Sequence, residues 1–205
     1  RRQRQMCIRD RLGGGIEDVA NITNTLASNF GMGVDEASKL SSRVFDTSKA
    51  IGLSAEEGAN LFGVLMQTAD LSAEQAERLA EGAFQLARQA GVAPQAVLKD
   101  IAESTEVIAS FTKDGGDNIA EAAVQARQLG LSLNDTAKIA EGLLDFQSSI
   151  EKEVEASVLI GRQLNLQKAR EAALNNDIAG AMQEVVKQVG SEEEFNRLNA
   201  VSYTH

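Results

Sequence analysis

The chain has 205 residues, with 30 Asp and Glu against 20 Lys and Arg, 4% aromatics, no Trp, one Pro and one Cys. That length suits one sizeable core or a row of helical repeats, and abundant Ala, Leu, Glu, Gln and Lys beside the single Pro94 favours helices. The lone Cys7 excludes a disulfide framework within the chain, and no apolar run nears the ~18 residues of a membrane helix, so no membrane segment is expected.

Residues 1–11, RRQRQMCIRDR, hold five of the twenty basic residues and the only Cys, and residues 201–205, VSYTH, hold the only Tyr and the only His. Both strings break from the composition between them. They read as translated adapter sequence, expected to be disordered and dispensable. For the first string the alternatives are a basic nucleic-acid arm, a transit peptide or a signal peptide, the last failing for want of an apolar core. Between the two strings, residues 12–200 carry fifteen Lys and Arg against twenty-nine Asp and Glu, a net charge of −14. So acidic a body repels a phosphate backbone, and no nucleic-acid binding is expected.

Gly13, Gly14 and Gly15 form a flexible lead-in to a helical run over about residues 16–30. From there a phrase recurs, made of a small or turn residue, an aliphatic, a capping residue and then helix. It begins at Gly33, Gly52, Asp70, Gly91 and Gly130, so the units are about twenty residues long, with one gap of two units around Gly115 and Gly116. The glycine permits the left-handed turn ending one helix, the aliphatic packs back, and Ser or Asp accepts from the free amides of the next helix. Ser54 with Glu57 and Ser72 with Gln75 are capping boxes, while Pro94 stands at a first helical position, where its missing donor costs nothing. The units make residues 12–131 a region of antiparallel helices joined by short turns. Their stripes are rich in alanine, as in Ala73, Ala76, Leu79, Ala80, Ala83, Leu86 and Ala87.

The second region, residues 132–200, opens at the cap Ser132. Ile139, Leu143, Phe146, Ile150, Val154 and Val158 recur at steps of four, three, four, four and four, the stripe of one helix face. Without a Gly or Pro pair to interrupt it, this predicts one helix over about 132–160, roughly 43 Å long, with the stripe buried and Glu151, Lys152, Glu153 and Glu155 in water. Short helices follow, one capped by Asn165, one by Asp177, and one begun by the capping box of Ser191 and Glu194. The fold expected is therefore all-α, a row of antiparallel helices in degenerate units with one long helix.

The residues 145–200, DFQSSIEKEVEASVLIGRQLNLQKAREAALNNDIAGAMQEVVKQVGSEEEFNRLNA, resemble a segment of the tail tape measure proteins of bacteriophages. The likeness continues upstream to about Ala102 and loosely through the earlier helices. It implies an internal fragment of a long helical virion structural protein that fills the tail tube and sets its length. The partners implied are the tail tube, other tail proteins and further copies of itself. The location implied is the tail lumen, after assembly in the host cytoplasm. The resemblance implies no catalytic residue.

Candidate chemistry is sparse. Residues 12–200 contain no His or Cys, which removes His-based nucleophilic sites and the usual zinc sets. Asp114, Gly115, Gly116, Asp117 and Asn118 supply oxygens without the order or the terminal Glu of a calcium loop, and read as a helix cap. Gly13 to Gly15 lack the Lys and Ser or Thr of a phosphate loop. No cofactor, metal or enzymatic activity is expected. Two function classes stay open: a tape-measure-type structural protein, and a cellular helical interaction or coiled-coil scaffold module.

Overall fold

The computed structural model describes residues 2–112 and 114–189, which are all-helical, with no strand among them. The helices are α1 (Arg2–Phe30), α2 (Val34–Ile51), α3 (Ala55–Thr68), α4 (Ala73–Ala90), α5 (Pro94–Glu103), α6 (Thr105–Phe111), α7 (Asp117–Gln128), α8 (Leu133–Leu144), α9 (Phe146–Ile160), α10 (Gln167–Leu174) and α11 (Ile178–Val189). A 3-10 turn, Asp114–Gly116, separates α6 from α7. Ser191 and residues 201–205 lie outside the described residues.

Local chemistry accounts for most boundaries. The first residue of the repeated phrase is left-handed at Gly52, Asp70, Gly91 and Gly130, with φ of 74°, 52°, 74° and 71°. The aliphatic behind it then closes the helix end: the amides of Leu53, Val92 and Leu131 donate to the carbonyls of Ser48, Ala87 and Ala126. At the first phrase Gly33 has φ −58°, and Gly31, at 66°, takes the left-handed place. Ser54, Ser72 and Ser132 each accept from the amide three residues on, and Glu57, Gln75 and Asp135 return the bond to the capping residue's own amide. These bonds hold the Glu57 and Asp135 carboxyls below their ordinary values. Asp177 caps α11 through a 3.0 Å bond from the Gly180 amide.

Two expectations are corrected here. The backbone of α1 runs from Arg2 through Gly13, Gly14 and Gly15, where disorder and a flexible lead-in were expected. Arg, Gln and Met are good helix formers, and a helix anchored by the buried Ile22 and Leu26 extends backward at roughly 1 kcal/mol per glycine. The single helix over 132–160 is in fact two, broken at Asp145, whose backbone lies at φ −79° and ψ 86°. Asp145 ends α8 and begins α9, its side chain accepting from the Ser148 amide at 3.4 Å. A side chain that competes for a free amide makes a helix start out of what periodicity reads as a helix interior.

Sequence neighbours pack together from α1 to α5, and the array then closes on itself, with α4 and α5 against α7 and α7 against α11. One apolar cluster runs from Ile22 and Leu26 through Phe62, Leu98, Ile101 and Ile119 to Ile178 and Met182. A second holds Ala140, Leu143, Ala169, Ala173 and Ala181. Helix α11 serves both, with Ile178 and Met182 on the first and Ala181 on the second. Close approach of helices is set by two glycines of α3. A Cβ at Gly63 would lie 2.3 Å from the Phe30 ring, and one at Gly58 would lie 1.7 Å from the Ser48 Oγ.

Asp100 on α5 is buried, and it ties three helices: Oδ2 accepts from the Leu133 amide at the start of α8 (2.8 Å), and Oδ1 faces Arg127 near the end of α7 (3.3 Å). Burial pushes its carboxyl above the ordinary value, against the pull of the Leu133 amide and Arg127.

Candidate interaction surface on α9 and α10

The stripe expected to be buried is divided by the break. Leu143 is buried in the second cluster and Ile139 is packed at its edge. Beyond Asp145, Phe146, Ile150, Val154 and Val158 are 49%, 50%, 60% and 77% exposed, which corrects the expectation of a continuous buried face. The periodicity is real, but beyond the break at Asp145 the large apolar residues of α9 are left half or more exposed. Leu159 and Leu174 are exposed as well. A run of large apolar side chains left open on one face marks an interaction surface more often than chance exposure does.

What holds α9 in place is largely polar. Arg170, a buried guanidinium on α10, donates from Nε to the Ser149 hydroxyl (2.8 Å) and from Nη2 to the Glu153 carboxylate. Glu153 also accepts from the Leu166 amide (3.2 Å), and the Ser157 hydroxyl accepts from the Leu164 amide (2.9 Å). Each arm therefore reaches from α9 to α10 or to the loop before it. Arg170 lies beside Ala169 and Ala173, the small buried residues of α10, and a base on that side is the signal by which the pair could have been suspected. The expected site residues did not include Ser149, Glu153, Arg170 or Asp100.

Between α9 and α10 runs a groove of about 880 Å³. Phe146, Ile150, Leu164 and Leu174 are its apolar walls, and the Arg170–Glu153 pair lies in it. Glu171 lines it on the α10 side, and Glu151 and Glu155 are exposed on α9. Behind α9, a smaller gap of about 390 Å³ is lined by Ile139, Leu143, Lys152, Ala156 and Leu166.

The capping residues Ser54, Ser72, Ser132 and Asp177 stand at separate helix starts and form no common site. The Gly115–Gly116 segment is a turn in which Asn118, largely buried, donates to the Phe111 carbonyl at 2.6 Å. Among the described residues, no three His, Cys, Asp or Glu gather as a metal set would, and no helix is long and apolar enough to cross a membrane. The groove sets its apolar walls beside a polar lining of Gln163, Asn165, Gln167, Glu171 and the Arg170–Glu153 pair. Comparison with family models, curated proteins and solved structures finds no match to the chain.

Proposed function

We propose that the chain is a helical structural segment of a bacteriophage tail tape measure protein, with a role in assembly and none in catalysis. The observation that carries the reading is a coincidence of place. Residues 145–189 belong to the part of the sequence that most resembles those proteins, and they include the face of α9 that presents Phe146, Ile150, Val154 and Val158 uncovered. A segment that works inside a larger assembly needs such a face, and the tail lumen, reached from the host cytoplasm during assembly, supplies the assembly. The partners proposed are tail-tube and other tail proteins and further copies of the segment.

In this reading function is length. The described helices double back on one another, so the ruler operates in an extended arrangement of the same helices, each residue adding ~1.5 Å of axial rise. In-frame deletion of residues 53–70 in a phage that carries the gene then shortens tails by about 27 Å per copy of the unit in the axial path, measured by electron microscopy. Tails of normal length overturn the ruler.

A second reading, a helical interaction or scaffold module of cellular origin, has its own support. The first apolar cluster is continuous from α1 to α11 and closes without any tube around it. The neighbouring reading frames separate the two: tail-tube genes beside a very long frame favour the first, and their absence favours the second.

A further inference from the structure

We propose that residues 146–174, α9 with α10, form a flap that opens from the body, and that in the open form α8 and α9 run on as one helix. Asp145 is the hinge and Arg170 the latch. The inference stands apart from the tape-measure reading, which asks every helix to extend, whereas this concerns one segment.

The segment contributes nothing to the first apolar cluster. Leu133 and Ala137 on α8, before it, and Ile178 and Met182 on α11, after it, are members, so both ends are anchored while the part between rests elsewhere. Helix α9 buries Ser149 alone, and α10 buries only Ala169, Arg170 and Ala173. Leu164, buried in the loop between them, belongs to neither cluster, and Leu166 packs at the edge of the second. Two alanines remove little area from water, so the Arg170 bonds to Ser149 and Glu153 supply much of the hold.

The joint itself is one rotation from a helix. Eight of the ten junctions between the described helices contain a residue with φ between 52° and 94°, which a helix interior does not hold. The exceptions are Ser104, between α5 and α6, and Asp145. Val107, Ile108 and Phe111 pin α6 in the first cluster, but nothing comparable pins α9. At Asp145 φ is −79°, near the helical value, and only ψ, at 86°, departs from it. Turning that one bond by roughly 130° joins the two helices.

Straightening also pairs groups that the break leaves apart. In a continuous helix the amides of residues 146, 147 and 148 donate to the carbonyls of 142, 143 and 144. In the bent form the Ser148 amide has the Asp145 side chain at 3.4 Å, longer than the 3.0–3.2 Å of the caps at Ser54, Ser72, Ser132 and Asp177. The apolar steps cross Asp145 without a change of phase, so Ile139, Leu143, Phe146 and Ile150 share a face only when the helix is straight. The closed form is sharply bent: Lys138 and Ala156 line one gap of about 390 Å³, whereas a straight helix sets them ~27 Å apart. The seventeen residues 161–177 span up to ~58 Å, enough to return from the end of a straight α9 to the anchored Ile178.

Spin labels at the exposed Lys138 and Leu159, in the full chain with Cys7→Ser, test this by pulsed electron resonance. A straight helix puts these positions about 32 Å apart, and the closed flap gives a shorter distance. With hinge and latch intact the short distance should dominate, with a minor peak near 32 Å. Asp145→Ala removes the cap and favours helix, and should raise the ratio of long to short about tenfold. Arg170→Ala with Glu153→Ala undoes the latch without stranding a charge, and should raise it as well. Asp145→Asn keeps a capping oxygen and should leave the ratio unchanged. A long peak missing from either altered chain, a broad distribution in its place, or equal effects of Ala and Asn at 145 overturns the proposal.

Discussion

Helices α4 and α9 invert the usual relation between size and burial. In α4 the buried residues are Ala76, Leu79, Ala80, Ala83 and Ala87, four of the five being alanine, whereas α9 displays a phenylalanine, an isoleucine and two valines to solvent. Both helices have a clear stripe at helical spacing. The difference lies in what surrounds them: α4 packs on α2, α3, α5 and α7, and its small side chains let those helices come close, while α9 rests chiefly on α8 and is tied to α10 through Arg170. Spacing tells which side of a helix is apolar. Whether that side is covered is decided by the turn before it, and here the turn is Asp145.

The contrast is sharpest with one substitution made twice. Ile101→Asp, in the first cluster, buries an unpaired carboxylate and should cost about 4 kcal/mol or more, enough to lose the cooperative melt followed by circular dichroism. Next in size is Arg170→Ala, which strands Glu153 and Ser149 and should cost roughly 2–3 kcal/mol, with proteolysis near the loop at residues 161–166 rising first. Arg170→Lys should not restore stability, since a point charge cannot bond to both partners as the guanidinium fork does.

A smaller effect separates the caps by pH. Glu57 and Asp135 are held below their ordinary 4.5 and 3.8, mainly by their bonds with Ser54 and Ser132, so their contribution is present at neutral pH and is lost as pH falls through their folded values. Ser132→Ala should remove about 1 kcal/mol at pH 7 and flatten the acid limb of the stability curve. Asp100 runs the other way. Its carboxyl is raised above 3.8 by burial, so its contribution is fullest below that value and erodes as pH climbs through its folded value. A titration of melting temperature in Asp100→Asn should lack that erosion.

The smallest expected effect is the second half of the pair. Ile150→Asp, on a residue 50% exposed, should change stability by no more than about 0.5 kcal/mol, where a buried stripe would make it cost several. A large loss in the unfolding midpoint would show that α9 is covered after all.

How much of this was legible from residues alone follows the range of the interactions. Ser54, Ser72 and Ser132 meet partners three residues away, and the left-handed turns at Gly52, Gly91 and Gly130 close over five, so a local reading reaches them. Asp145 is as local as these, yet it was hidden because the apolar spacing on both sides of it runs on unbroken. Arg170 finds Glu153 seventeen residues back and Asp100 finds Leu133 thirty-three residues on, distances at which no spacing rule operates. The open groove belongs to the same class, since it exists only once α9 and α10 are placed.

The two glycines of α3 carry a consequence for how the sequence can drift. A helix interior disfavours glycine by roughly 1 kcal/mol, so Gly58 and Gly63 persist only while their neighbours occupy the space a methyl group would need. Position 63 is thereby coupled to position 30, and position 58 to position 48, through steric exclusion and not through any bond. Among divergent copies of this gene, alanine at 63 should accompany a smaller residue than phenylalanine at 30, and alanine at 58 should accompany glycine at 48, since the Ser48 Cβ would itself lie 2.7 Å from the added methyl. Such paired changes would record, in the genealogy of the chain, the distances at which α1 and α2 lie against α3.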